Sequence, residues 1–114
     1  VNEHDRALVF DILAAAANAI DFVGEVTLVE FGSDLMRRMA VERCIEIIGE
    51  AAGKFSREFR DQHGERLPLR AAVRTRNRFI HGYRTINYSM VYDTVIQDLP
   101  DLVDQLQSIL KDAP

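Results

Sequence analysis

The chain's chemically capable side chains gather in one stretch, Arg76-Asn77-Arg78-Phe79-Ile80-His81-Gly82-Tyr83. Histidine gives or takes a proton near neutral pH. Arginine holds phosphate oxygens through paired donors and stabilises charge on a pentacoordinate phosphorus. Asparagine orients an imidazole or a substrate by hydrogen bonds. These are the parts needed to cleave RNA without a metal, the 2′-hydroxyl attacking its own phosphate. One histidine carries one proton, whereas attack and departure each require a transfer. A symmetric dimer that joins two copies of His81 supplies both. The same residues also admit a structural reading, with Arg76 held in an ion-pair network.

The spacing predicts a helix to carry this stretch, opened by Pro68 at a first helical position and ending near Gly82. Counted from Leu69 at about 100° per residue, Leu69, Ala72, Val73, Phe79 and Ile80 form its apolar stripe. Arg76 falls inside that stripe, where an unpaired charge is costly and a partner is required. Asn77 and His81 stand one turn apart on the stripe's edge. Arg74 and Arg78 lie further round, at about 140° and 180°, and are candidate contacts to an RNA backbone.

Charge singles out the same region. From Arg66 to Tyr92 there are six arginines and no Asp or Glu, so the rest of the chain carries −10 to reach the net −4. An acidic protein with one basic segment suits a local anion site rather than a general nucleic-acid surface.

The 114 residues make one domain, 1–114, and 47% apolar residues with three prolines and six glycines suit a mostly helical core. Cys44 stands alone, which excludes an internal disulfide and points to a reducing cytoplasm. No apolar run is long enough to span a membrane and no secretory pattern is visible, so the expectation is a cytoplasmic protein without membrane contact.

Four main helices are expected. The first runs from about Asp5 to Gly24, burying Val9, Ile12, Leu13, Ala16, Ile20 and Val23. Thr27-Leu28-Val29-Glu30 has the form of a capping box and predicts a short helical turn. Phe31-Gly32-Ser33-Asp34 is expected to break it and cap the next helix, Leu35 to Ala52, with Met36, Ala40, Cys44, Ile47, Ile48 and Ala51 inward. Gly53 allows a bend and Ser56 restarts a turn that fades by His63-Gly64. Beyond the Arg-rich helix, Asn87 caps a last helix carrying Val91, Val95, Leu99, Leu102, Leu106 and Ile109, with a kink at Pro100. The expected fold is all-α, an antiparallel four-helix bundle with short extra helical turns.

Absences narrow the chemistry. The chain has no P-loop, HExxH, CxxC or dinucleotide fingerprint. His4, His63 and His81 are too scattered for a metal site, so neither metal nor cofactor is expected. The Gly32-Ser33 pair lacks the downstream carboxylates that nucleotidyl transfer needs, and Cys44 reads as inert core. Glu46 and Glu50 are read as ion-pair partners for Arg76 or Arg43.

Arg76-Asn77-x-x-x-His81-x-Tyr83 resembles the R-x(4–6)-H-x-Y signature of HEPN domains, and more specifically is similar to the HepT branch of toxin–antitoxin ribonucleases. Val9-Phe10-Asp11-Ile12-Leu13, the stretch from Ala40 to Ala51, and Tyr92-Asp93-Thr94-Val95 with Asp98-Leu99-Pro100 resemble the same family in the same order. The resemblance implies an HEPN-like bundle that pairs as a homodimer around a shared cleft. It implies the toxin of a type VII-like pair, a metal-independent endoribonuclease acting on tRNA or mRNA. Arg76 would bind phosphate, His81 would serve as general acid/base, and Asn77 would orient them. A cognate nucleotidyltransferase antitoxin would silence the toxin by moving AMP from ATP onto Tyr83, placing bulk and negative charge beside Arg76. The alternative of another class is a non-catalytic HEPN module that binds a nucleotide or a protein partner.

Overall fold

The computed structural model describes residues 1–64 and 87–112, and every element among them is helical. They are α1 (Glu3–Val23), α2 (Leu28–Ser33), α3 (Leu35–Ala52), α4 (Arg57–His63) and α5 (Tyr88–Asp93). A π-helical turn (Thr94–Asp98) then leads into α6 (Leu99–Asp112). The all-α class expected from the apolar spacing is the class observed. The expected Arg-rich helix from Pro68 to Gly82 lies outside the described residues.

Side-chain caps begin most of these elements. Asn2 accepts from the Asp5 amide at 2.7 Å and starts α1 two residues earlier than the apolar pattern suggests. At the other end Gly24 adopts φ 55, a left-handed value that favours glycine, and its amide bonds to the Ile20 carbonyl. Thr27 and Glu30 form the reciprocal capping box. Helix α2 then continues through Phe31-Gly32-Ser33, so the break falls only at Asp34, whose carboxylate accepts from the Arg37 amide to open α3. Ser56 and Asn87 cap α4 and α5 in the same manner.

Helices α1 and α3 pack against each other along their length. Their directions are antiparallel, because both ends are tied across. The imidazole Nε2 of His4 contacts the Lys54 carbonyl at 2.9 Å just beyond α3, while Arg37 at the start of α3 donates to the Phe22 carbonyl near the end of α1. Ala15, Ala16 and Ala19 are buried on α1, and Gly49, Ala51 and Ala52 are buried on α3, small residues that allow close approach of neighbouring elements. The buried stripe of α3 differs from the expectation. Met36 is 84% exposed, Ala40 and Ile47 are half-buried, and Val41 and Ile45 point inward instead. Two neighbouring stripes on α3 are apolar, and contact with α1 decides which one is core.

The last helix answers the question raised by Pro100. Two successive four-residue steps, Val91 to Val95 to Leu99, overrun the 3.6-residue period by about 80°. The π turn takes one extra residue into the helix and absorbs that rotation. Its amide bond from Leu99 reaches back to Thr94, five residues away. Val91, Val95, Leu99, Leu102 and Leu106 therefore all join the core, with Ile109 packed against it. Pro100 stands two residues after the end of the turn, so the expected disturbance is present as a π segment just before it.

The caps carry a pH signature. Glu30 is held below its ordinary pKa by the Thr27 amide and hydroxyl, and Asp34 by the Arg37 amide and guanidinium. Lowered carboxylates lend stability that is present above the unfolded-state pKa and lost as pH falls through the folded one. Replacing both, Glu30→Gln with Asp34→Asn, should flatten the acid side of the stability profile. Urea midpoints measured from neutral pH into the acid range give the comparison.

Candidate functional site

Arg74, Arg76, Asn77, Arg78, His81 and Tyr83 all lie outside the described residues. The described residues define how the chain leaves α4 before this segment and how it re-enters at α5 after it. Both ends are tied down by polar and aromatic contacts between residues distant in sequence.

At the departure end, Asp5 is only 2% exposed. Its carboxylate accepts from the Ser56 amide at 2.8 Å and from the Ser56 hydroxyl. That hydroxyl oxygen in turn accepts from the Phe59 amide, so one serine both caps α4 and anchors it to α1. Arg60 donates from Nε to the Phe55 carbonyl at 3.1 Å and from Nη2 to the Ala52 carbonyl at 3.2 Å. The Ala52 carbonyl is one that the end of α3 leaves without a helical partner, where a cation is favourable, and the Phe55 carbonyl lies in the connection to α4. Phe55 and Phe59 stack at 4.0 Å between ring centroids, and the His63 ring lies 4.8 Å from that of Phe59. Helix α4 is thus fixed on the core up to Gly64.

At the return end, Asn87 caps α5 by accepting from the Ser89 amide at 2.9 Å. The next side chain, Tyr88, lies directly over Gly32 of α2. A β carbon at Gly32 would come within 2.5 Å of Tyr88 Cε2, so any other residue there would require the ring to shift. The Arg38 guanidinium stands 5.7 Å from the Tyr88 ring centroid, and its Nη1 donates to the Gly32 carbonyl at 3.2 Å. Arg38 Nε is buried and has no hydrogen-bond partner among the described residues. Glu42, one turn along α3, is half-buried. Burial pushes its carboxyl above the ordinary range, and the charge of Arg38 pulls in the opposite direction.

Beneath this surface cluster Phe31 is fully buried, with its ring 5.5 Å from that of Tyr92. The Tyr92 hydroxyl donates to the Val26 carbonyl at 2.8 Å, tying α5 to the α1–α2 connection. Neither Arg38–Tyr88 nor Asp5–Ser56 was legible in the sequence. Each joins residues some fifty positions apart, and no local pattern signals such a pairing.

The remaining candidates are placed plainly. Cys44 is buried, and burial raises its thiol pKa against the influence of Arg43, which leaves it a poor nucleophile. Glu46 takes Arg43 as its partner at 3.0 Å, one of the two pairings expected. The other, with Arg76, falls outside the described residues. Among the described residues, no group of three His, Cys, Asp or Glu is placed to hold a metal ion.

Comparison with known proteins identifies relatives along most of the chain. The sequence profile described as "Ribonuclease HepT-like" matches residues 12–109. "Putative RNase MJ0127" of Methanocaldococcus jannaschii is 35% identical over 107 residues, covering 94% of this chain and 88% of that protein. "Probable ribonuclease HepT" of Thermococcus cleftensis is 32% identical over 101 residues, covering 89% and 91%. "Putative RNase TTE0752" of Caldanaerobacter subterraneus is 31% identical over 100 residues, with 88% of each chain covered. No solved structure matches the chain.

Proposed function

Because this chain belongs to the HepT-like ribonuclease family, we propose that it is an endoribonuclease that cuts cellular RNA through Arg76, Asn77 and His81. The observation that carries this reading is the profile match across residues 12–109 of a chain that retains Arg76-Asn77-x-x-x-His81-x-Tyr83 in full. In the proposed reaction the 2′-hydroxyl attacks the adjacent phosphorus and a 2′,3′-cyclic phosphate forms. The bond to the departing 5′ oxygen breaks. His81 moves one proton, Arg76 holds the equatorial oxygens, and Asn77 orients the imidazole or the phosphate. Arg74 and Arg78 add contacts to the RNA backbone within the basic segment. No step calls for a metal ion, since proton transfer and charge stabilisation are both supplied by side chains.

The second proton carrier is the partner subunit's His81, so the active form is a homodimer. In this reading the pairing surface is formed by the end of α1, α2 and the start of α3. Leu35, Met36 and Met39 on α3 are exposed there, with Val29 on α2 and Phe22 on α1. Single exposed apolar residues are ordinary, whereas five within eighteen positions of the chain favour association. Replacing Met36 and Met39 together with Glu should shift the protein to monomer and lower cleavage at fixed concentration. Sedimentation beside an activity titration reads both effects.

Control of the activity falls to Tyr83. In this reading a cognate nucleotidyltransferase antitoxin transfers AMP from ATP to the Tyr83 hydroxyl and releases pyrophosphate. The added phosphate repels the RNA backbone from Arg76. Incubation of tRNA in excess chelator, with protein whose intact mass shows no added AMP, tests the proposal. Cleavage supports it, and bound nucleotide without cleavage selects the non-catalytic binding module instead.

A further inference from the structure

We propose that Arg38 and Tyr88, closed over Gly32, are positioning residues for the RNA-cleaving stretch, an inference that rests on the ribonuclease reading above. Tyr88 is the first residue of α5 and follows Tyr83 by five positions and His81 by seven. Whatever sets Tyr88 therefore sets where the chain returns from those residues. Three groups set it. The face of Gly32 admits the ring at this position because a β carbon is absent, with 2.5 Å to Cε2 and 2.7 Å to Cζ from where that carbon would stand. Arg38 covers the ring at 5.7 Å and ties itself to the Gly32 carbonyl at 3.2 Å. Asn87 fixes the backbone just before it.

Stability alone does not account for this arrangement. Tyr88 remains 40% exposed, so its ring adds little to a core already filled at this point by Phe31, Val91 and Tyr92. Arg38 accepts the penalty of a buried Nε–H with no acceptor among the described residues, a feature that asks for an explanation. The guanidinium is already committed, one nitrogen to the Gly32 carbonyl and its face to the Tyr88 ring, which leaves it poorly placed to grip RNA phosphate. What the pair does well is hold one aromatic ring, and with it the chain, in one place. Groups that orient reacting residues change turnover more than substrate binding.

The test compares kcat and KM for tRNA cleavage in chelator, using full-length protein of unmodified mass. The variants are Gly32→Ala, which pushes on the ring from below, Arg38→Met, which removes its cover, and Tyr88→Phe, which keeps the ring. Gly32→Ala and Arg38→Met should each lower kcat by about tenfold or more with KM little changed, since small displacements of reacting groups are costly. Tyr88→Phe should cleave as wild type does. Circular dichroism establishes that the variants are folded, and if Gly32→Ala is not, Arg38→Met decides. Folded variants with wild-type kcat, or a loss confined to KM, overturn the proposal. A wild-type protein that does not cleave overturns the ribonuclease reading itself, a result seen before any variant is compared.

Discussion

His81→Ala is expected to lower RNA cleavage by at least about a hundredfold, because general acid–base transfer contributes roughly 10²–10⁴ to such reactions. The effect should appear in kcat, as the imidazole acts on protons that move only in the transition state. Two features make the loss larger than for one catalytic group among several. His81 is the one histidine in the basic segment, while His4 contacts the Lys54 carbonyl and the His63 ring packs on Phe59. In a symmetric dimer the substitution also removes both proton carriers at once. Gel analysis of tRNA with equal amounts of wild type and variant, together with sedimentation of the variant, reads the loss and checks that pairing is unchanged.

Phe31→Ala should cost about 3–5 kcal/mol of folding stability, the range for truncating a buried phenylalanine. Phe31 is fully buried, and it is the one residue of α2 that is. A six-residue helix has no stability of its own and depends on such an anchor. Loss of the ring leaves a cavity beside Tyr92, whose hydroxyl ties α5 to Val26. It also loosens Gly32, the seat of Tyr88. Urea unfolding should show a lower midpoint at similar slope, and activity should fall at temperatures where the variant is still folded.

Much of the fold follows from local rules, and its larger misreading, the inward face of α3, does not. The limits of α1 and α3, the Thr27–Glu30 capping box and the Asp34, Ser56 and Asn87 caps are set by residues within four positions of one another. Such signals are visible in any chain. The inward face of α3 is not local. Met36, Ala40 and Ile47 repeat with helical spacing as well as Val41 and Ile45 do, and only packing on α1 separates them. The irregularity near Pro100 was legible in kind, while its form as a π turn depends on lining up Val91 with Leu102 in one core. The chemistry expected of Arg76, Asn77 and His81 comes from residue types and spacing, and that expected of Tyr83 from the resemblance to the family. The contacts at the two ends that flank this stretch in sequence, Asp5 on Ser56 and Arg38 on Tyr88, arise from tertiary packing that no motif records.

The most direct measurement is the chemistry of the ends that the protein leaves on RNA in excess chelator. Attack by the neighbouring 2′-hydroxyl predicts a 2′,3′-cyclic phosphate on one fragment and a 5′-hydroxyl on the other, with neither formed by His81→Ala. Fragments ending in 3′-hydroxyl and 5′-phosphate would contradict the account, as they require water rather than the 2′-hydroxyl to attack phosphorus.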